Sequence, residues 1–163
     1  MTTETCAIYT YESPIGPLVL AGRGDQLVSL HLPGSDDPIP TGEERATPIL
    51  KRAAKQLAEY FAGKRKDFDL DLSPEGTPFQ RSVWAKLQKI PFGETWSYGE
   101  LAASLGKPLA SRAVGAANGR NPIAIIIPCH RVIGSNGSLT GFGGGLPAKK
   151  YLLQLESAQL TLS

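Results

Sequence analysis

The apolar pattern changes character at one short connector, and this change constrains the fold more than any other feature. "SPEGTP", residues 73–78, carries two prolines and a glycine, which interrupt helices and strands. Before it, the short runs "CAIYTYES", "PLVLAGRG" and "QLVSLHL" are separated by Pro and Gly and predict an antiparallel meander. After it, short helical patterns take over. We therefore predict an α+β fold with two domains, a sheet-and-helix domain at 1–76 and a helical domain at 77–163.

Within the first domain, the sequence predicts one helix lying across the sheet. "PGSDDPIPTG", residues 33–42, is typical of a mobile loop. From Pro48 to Phe61 the apolar residues recur at helical spacing, and "DFDLDL", residues 67–72, returns to the alternation of a strand. Nothing in this half indicates chemistry.

In the second domain, two capping motifs mark the starts of helices, and the second of these helices, together with the helical run after it, predicts a helix-turn-helix. Thr77 precedes Pro78 and is followed at the third helical position by Gln80, and Ser97 with Glu100 repeats the device. "SYGELAASLG" stops at Gly106, and "LASRAVGAANG" follows after a Gly-Lys-Pro turn. Helix pairs with short turns also occur in proteins that never touch DNA, so the pattern alone leaves both interpretations open.

The surface of the second helix favours DNA. Its small residues, which are Ala110, Ser111, Ala113 and Gly115, would let the backbone approach a groove closely. Arg112 is its one long cationic side chain. Such a helix suits close contact that ignores base sequence, and suits poorly a regulator that reads base edges.

Charge separates the two halves of the chain. Residues 1–78 hold 8 basic and 12 acidic residues, a balance of −4, whereas residues 79–163 hold 9 basic and 3 acidic residues, a balance of +6. A basic half without Asp is expected of a surface that meets phosphates, although chance clustering on a solvated face would give the same count.

"IIIPCHRVIG", residues 125–134, places one of two cysteines beside one of two histidines, and its three isoleucines predict a buried strand that leads to Cys129. Three interpretations are open: a buried strand that contains a thiol, half of a metal site, or a nucleophile beside its base. A metal site would have to combine Cys6, His31, Cys129 and His130, which lack close paired spacing. A nucleophile needs a base, and in a regular strand His130 would point away from Cys129 unless the backbone bends or water bridges them.

Glu156 is the candidate partner for a histidine base. On the helical wheel of "LPAKKYLLQLESAQL" it falls in the apolar stripe, where a carboxylate is costly unless it is paired. It could orient His130, or it could form a structural salt bridge with a nearby Arg or Lys.

Read in order, "PFGETWSYGELA", "SRAVGAANGRNPIAIIIPCHRVIGSNGSLTGFGGG" and "KKYLLQLE" resemble the O6-alkylguanine-DNA alkyltransferases, which repair DNA by direct reversal. The resemblance runs from about Thr77 to Glu156. It implies an N-terminal ribonuclease-H-like antiparallel sheet with a helix, and a C-terminal helical domain that carries the helix-turn-helix and the cysteine. It also implies irreversible transfer of the alkyl group from O6-alkylguanine in duplex DNA to the protein, once per molecule, and O4-alkylthymine as a further substrate.

The resemblance assigns roles to residues that are present here. Cys129 matches the alkyl acceptor, His130 the base that reaches it through water, Glu156 the carboxylate behind the histidine, and Asn121 the residue that steadies the turn. The pocket residues that match are Tyr98, Val132, Ser135, Phe142 and Gly143, with the carbonyls of Cys129 and Val132 holding the amino group of the base. Arg112 matches the finger that fills the place of the flipped nucleotide, and the small residues Ala110, Ser111, Ala113 and Gly115 lie on the DNA-binding helix.

Two positions depart from the usual family pattern. Phe142 stands where many members have Tyr, and Gly143 stands where Ser is common. Phe142 keeps the ring and loses the hydroxyl, while Gly143 keeps the backbone N–H, so we expect activity with a somewhat different choice of alkyl group.

Partners and location follow from the same sequence. We expect no cofactor and no metal, since only Cys6 and His31 are available for the zinc site that some relatives carry. We expect a monomer on duplex DNA that contains O6-alkylguanine, with cooperative binding left open. Without a signal peptide or membrane span in the sequence, we expect a cytoplasmic protein with free thiols. The rival functions are a cysteine hydrolase using Cys129, His130 and Asn121, and a catalytically silent module that binds lesions or regulates genes.

Overall fold

The computed structural model describes residues 6–139, 142 and 144–162, with side chains up to residue 157. Its first half is built on a four-stranded sheet in the order β3-β2-β1-β4. Strands β1 (Ala7–Ser13), β2 (Gly16–Arg23) and β3 (Gln26–His31) form the predicted antiparallel meander, while β4 (Glu43–Glu44) pairs parallel to β1. The two hairpins are tight, and Gly24, at the β2–β3 turn, adopts a φ of 59° that few side chains tolerate.

Helix α1 (Pro48–Phe61) covers one face of the sheet, as its apolar spacing predicts. Ile49, Leu50, Ala53 and Leu57 recur at helical spacing and are buried in the same apolar core as the inward side chains of the strands. This core removes from water the apolar surface that stabilises the sheet.

The strand predicted from "DFDLDL" is largely wrong. Only Leu72 pairs with the sheet, through an isolated parallel bridge to Leu27. The backbone of Asp69 is bonded instead to the buried side chain of Gln56, which donates to Asp69 O at 3.0 Å and accepts from Asp69 N at 2.9 Å. The side chain of Gln56 thus forms hydrogen bonds with the backbone groups that would pair with a neighbouring strand in a sheet.

The second half begins with helix α2 (Pro78–Leu87), and both predicted capping boxes are present. Thr77 caps α2 with Gln80, and Ser97 caps α3 (Tyr98–Ser104) with Glu100. Gly106, with a φ of 72°, ends α3. Helix α4 (Ser111–Gly119) starts two residues later than its apolar pattern predicts, because the N–H of Ala110 closes a separate turn on Lys107 O at 2.9 Å.

Two hydrogen bonds fix the packing around the core, the first within the second half and the second between the two halves. Trp84 on α2 donates from Nε1 to Ala117 O on α4 at 2.8 Å, which fixes α2 against α4. Leu30 on β3 donates to Pro122 O at 2.9 Å, so the segment that leads to Cys129 is bonded to the sheet of the first half. Strand β5 (Trp96–Ser97) precedes α3. After Cys129–Arg131, a single 3-10 turn, come β6 (Val132–Ile133) and α5 (Leu146–Leu162).

The isoleucine run before Cys129 is buried as predicted, but it is not a strand. Ile126 N bonds to Ala124 O at 2.8 Å and Ile127 N to Ile123 O at 3.0 Å, so the segment folds into turns that satisfy their own peptide groups. Ile125 adopts a φ of 72°, which is rare for a β-branched residue. Burial here comes from the position between the two halves of the molecule.

Across the part of the chain that the structure describes, no helix is long and apolar enough to cross a bilayer.

Candidate active site

Asn121 shapes the loop that presents Cys129. Its Nδ2 donates to Ile127 O at 2.8 Å and its Oδ1 accepts from Ile123 N at 3.0 Å, which closes the isoleucine turns from inside. Cys129 follows at the start of the 3-10 turn and is 6% exposed. The expectation that Asn121 steadies this turn agrees with these contacts, and the thiol lies at the floor of a loop with fixed backbone.

The backbone bends at Cys129, so His130 need not point away from the thiol as it would in a regular strand. In a 3-10 turn successive side chains do not alternate between opposite faces as they do in a strand. His130 is fully buried and its Nε2 donates to Glu156 Oε2 at 2.7 Å. Its Nδ1 is buried without a hydrogen-bond partner among the described residues. Because Nε2 carries the proton, Nδ1 has a free lone pair.

Burial lowers the pKa of His130, against the opposing effect of Glu156. The imidazole is therefore neutral at neutral pH, as a proton acceptor must be.

Glu156 is the centre of a buried polar cluster, which we call the Glu156 cluster and define as Tyr60, His130, Arg131, Lys149 and Glu156. Its Oε2 accepts from Tyr60 Oη at 2.6 Å and from Arg131 Nη2 at 3.0 Å, and its Oε1 accepts from Arg131 Nε at 2.8 Å. Both interpretations of Glu156 are thus realised, since the carboxylate pairs with the histidine and with an arginine. Arg131 also donates to Ile90 O at 2.8 Å and stacks over Phe92.

The carboxylate stays charged in spite of its burial. Burial alone would raise the pKa of Glu156, but the hydrogen bonds and charges of His130 and Arg131 lower that pKa to about 2. The same burial and the neighbouring carboxylate raise the pKa of Tyr60 well above 10, so the phenol remains a donor. The cluster holds one permanent negative charge behind the imidazole.

Burial raises the pKa of the Cys129 thiol, while a hydrogen bond from the Asn121 side chain and the charge of Lys149 oppose this. An unaided thiol in this place is protonated at neutral pH, so its reaction as a nucleophile needs a base. His130 supplies the neighbouring lone pair.

Lys149 and Tyr60 belong to the site but were not among the residues predicted from the sequence. Lys149 is fully buried on α5, and its Nζ donates to Val132 O at 2.7 Å. It lies seven residues before Glu156 and therefore on the same face of the helix, a spacing that was available in the sequence. Tyr60 lies on the apolar face of α1, where a buried phenol needs an acceptor, although nothing in the sequence indicates which one.

A short parallel pairing brings Tyr98 next to the cysteine loop. Trp96 pairs with Val132 and Ser97 with Ile133, which fixes the start of α3 beside β6. The ring of Tyr98 lies against Gly115 of α4, where an added Cβ would be 3.5 Å from Tyr98 Cδ1. Tyr98 and Val132 thus lie near the cysteine loop, and their place in a substrate pocket remains a prediction.

A cavity of about 350 Å³ reaches Cys129 from the side of β3 and the loop after it. Asn118, Asn121 and Phe142 line it next to the thiol. The loop 33–42 forms part of its rim, where Asp37 O contacts His31 Nε2 at 2.8 Å and the Asp37 carboxylate lies 3.8 Å from Arg120. This volume is within the range of small-molecule sites.

The remaining predicted residues lie further out. Arg112 and Ala113 are exposed on α4, with Ala110, Ser111 and Gly115 half-buried around them. Ser135 is exposed in the turn after β6, and Gly143 lies outside the described residues. No group of three or more Cys, His, Asp or Glu among the described residues could hold a metal ion, and the absence of zinc remains a prediction.

Two family models match the chain. The 6-O-methylguanine DNA methyltransferase ribonuclease-like domain matches residues 8–74, and the DNA-binding domain of the same family matches residues 78–158.

Relatives and solved structures are similar over almost the whole length. A methylated-DNA–protein-cysteine methyltransferase of Methanosarcina acetivorans is 52% identical over 150 residues, which cover 91% of this chain and 96% of the relative. The constitutive enzyme of that name from Bacillus subtilis is 47% identical, over 90% of this chain and 93% of its own length. The crystal structure of Mycobacterium tuberculosis OGT in complex with DNA superimposes with a TM-score of 0.88 at 49% identity, covering 94% of both chains.

Proposed function

This chain belongs to the 6-O-methylguanine DNA methyltransferase family, and from that premise we propose that it repairs DNA by moving the methyl group of O6-methylguanine onto its own Cys129. The observation that carries the proposal is the buried His130, whose Nδ1 has a free lone pair and which shares a 3-10 turn with Cys129, the only cysteine among the described residues that line the cavity.

The Glu156 cluster supplies the base. A water between Cys129 and His130 would pass the thiol proton to Nδ1, and the imidazolium formed would be stabilised by the charged Glu156 at 2.7 Å. Arg131 keeps Glu156 ionised and in place through two hydrogen bonds. The carboxylate therefore stabilises the imidazolium. Because the imidazolium forms together with the Cys129 thiolate, Glu156 also favours formation of the thiolate.

The thiolate then displaces the base. Its sulfur forms a bond to the methyl carbon while the bond from that carbon to O6 breaks, and the electron pair goes to the guanine, which takes up a proton to become ordinary guanine. We assign Tyr98 to stabilising the departing oxygen. We assign Phe142 and Val132 to the walls around the base, and Ser135 and Gly143 to binding of the base, with Gly143 contributing its backbone N–H.

The exposed face of α4 is assigned to the DNA. Ala110, Ser111, Ala113 and Gly115 have side chains short enough for the backbone to approach a minor groove, and Arg112 would occupy the place of the flipped nucleotide. The contacts are made to the sugar–phosphate backbone and the groove, so binding should weaken with salt at all sequences alike.

The reaction is expected to occur once per molecule. A thioether has no good leaving group, and Cys129 is the only cysteine among the described residues that line the cavity. We further propose that the protein acts in the cytoplasm, binds DNA as a monomer and also accepts O4-alkylthymine.

Stoichiometry tests this function. Protein is mixed with an excess of duplex DNA containing O6-methylguanine, and the guanine restored per protein chain is measured for wild type and for Cys129→Ala. We expect the restored guanine to level off at one per wild-type chain, and none for Cys129→Ala. Continued turnover would identify a hydrolase, and binding without restoration would identify a silent lesion-binding module.

A further inference from the structure

Tyr60, on α1 in the first half of the chain, reaches the base of the proposed reaction through a shared oxygen atom. Its Oη donates to Glu156 Oε2 at 2.6 Å, and His130 Nε2 donates to the same oxygen at 2.7 Å. Arg131 adds a third donor to Oε2 at 3.0 Å, whereas Oε1 accepts from Arg131 Nε at 2.8 Å. The phenol and the imidazole therefore share the charge of a single carboxylate oxygen.

The phenol is held in this place by its surroundings. Tyr60 is 1% exposed. Its ring packs against three other rings at centroid distances of 5.3, 5.4 and 6.3 Å, which are those of Phe61, Phe68 and Phe92. A ring in such close packing cannot swing its hydroxyl into water. Burial and the neighbouring carboxylate raise the pKa of Tyr60, so the phenol keeps its proton and remains a permanent donor.

A hydrogen bond to a carboxylate weakens that carboxylate as a partner for other groups. The donor stabilises negative charge on the oxygen, which leaves less of this charge to stabilise a neighbouring cation. During methyl transfer His130 becomes an imidazolium, whose stability depends on Oε2 of Glu156. The hydrogen bond from Tyr60 therefore makes His130 a weaker base than it would be without the phenol.

We propose that Tyr60 is a positioning residue that limits the basicity of His130 by sharing Glu156 Oε2 with it. The inference rests on the proposed function, in which His130 takes the proton of Cys129. The first half of the chain thus sets the strength of a base that lies in the second half, and keeps that base neutral down to a lower pH.

The other charged groups around His130 stay in place when the phenol is removed. Glu156 and Lys149 act on it from α5, and Arg131 and the Cys129 thiol belong to its own 3-10 turn. Glu156 favours the protonation of His130, whereas Arg131 and Lys149 oppose it. Without the phenol the carboxylate remains ionised, because both hydrogen bonds from Arg131 remain. Removal of the hydroxyl therefore changes a single influence on the imidazole.

Tyr60→Phe tests this role, because it removes the hydroxyl and keeps the ring. Single-turnover methyl transfer from duplex DNA containing O6-methylguanine is measured with protein in saturating excess, across the pH range in which the proteins are folded. The charge of His130 is read directly by NMR, since the chain has 2 histidines and His31→Gln identifies the signal of the other. Phe68→Leu is the matched control, because it disturbs the packing around Tyr60 and leaves the hydroxyl in the protein.

We expect the apparent pKa of His130 to be higher in Tyr60→Phe than in wild type, both in the NMR titration and in the acid limb of the transfer rate. Above this pKa, transfer should be about threefold faster, a fraction of the effect of one hydrogen bond, because a stronger base forms more thiolate. Below it the two rates should converge, since the stronger base is then protonated. Phe68→Leu should follow the wild-type profile.

Two results overturn the inference. One is a pKa of His130 in Tyr60→Phe that equals or falls below the wild-type value. The other is a transfer rate reduced by the same factor at every pH, which a purely structural role predicts. If wild type takes no methyl, the proposed function fails, while the NMR titration still tests the effect of the phenol on the imidazole. If wild type takes the methyl and the pKa does not rise in the variant, only the role of Tyr60 is wrong.

Discussion

The Glu156 cluster and the outer face of α4 are built by opposite means. The cluster is buried and polar, and its members come from residues 60, 130, 131, 149 and 156, so it exists only when both halves of the chain are folded. The face of α4 is exposed, is continuous in sequence and consists mainly of small side chains around Arg112. In the Glu156 cluster the same residues stabilise the fold and serve the reaction. On the face of α4 the residues assigned to DNA contribute little to the stability of the fold.

This separation follows from solvent exposure. A buried carboxylate with four hydrogen bonds cannot lose one without leaving charges or donors unpaired, and that penalty falls on the folded state. Removing an exposed arginine changes the free energy of unfolding of the free protein very little, and its contribution appears only when DNA is bound. Substitutions in the two regions should therefore affect different measurements.

Glu156→Gln should have the largest effect on stability. It leaves Arg131 buried without its carboxylate and removes the charge behind His130, so we expect the free energy of unfolding to fall by about 3–5 kcal/mol. Methyl transfer by the remaining folded protein should slow as well. Urea unfolding and single-turnover transfer check the two effects.

Tyr60→Phe is the matched control for this change. It removes one neutral donor from the same carboxylate, and we expect a loss of about 1 kcal/mol. Similar losses from the two variants would contradict the view that the charge of Glu156 organises the cluster.

Arg112→Ala should give the converse result. We expect the free energy of unfolding to change by less than about 0.5 kcal/mol, while transfer from duplex DNA falls because nothing fills the place of the flipped nucleotide. In a short single-stranded substrate the base does not have to be flipped out of a stacked pair. The variant should therefore lose less of its transfer rate on single-stranded than on duplex DNA. Equal loss on single and double strands would show that Arg112 does not act in flipping.

Acid should weaken the fold through the cluster, and this effect is smaller and gradual. The pKa of His130 is lowered from 6.5 and that of Glu156 from 4.5 to about 2. Both groups therefore bind protons more readily when unfolded, and their contributions are complete above pH 6.5. Stability should fall as the pH drops below 6.5 and more steeply from 4.5 toward 2, measured by urea unfolding at each pH. Glu156→Gln should lack the steeper part, and an unchanged slope in that variant would contradict the assignment.

The two regions also differ in how far the sequence predicts them. The capping boxes at Thr77 and Ser97 and the small-residue face of α4 are local, and the structure confirms the two helix starts. The burial of Glu156 was correctly predicted from helical periodicity.

Long-range contacts could not be predicted in the same way. Tyr60 reaches Glu156 across 96 positions, and no local pattern specifies such a pair. The isoleucine run was misjudged because burial favours the same residues in strands and in turns, and the hydrogen bonds of Asn121 decide between them only in three dimensions.

The central claim is that Cys129 itself receives the methyl group. The direct measurement is peptide mass spectrometry of the protein after reaction with duplex DNA containing O6-methylguanine. We predict one added methyl group, located on the peptide that contains Cys129, while the peptide that contains Cys6 stays unmodified. A methyl group found elsewhere, or restored guanine with unmodified Cys129, would contradict the account.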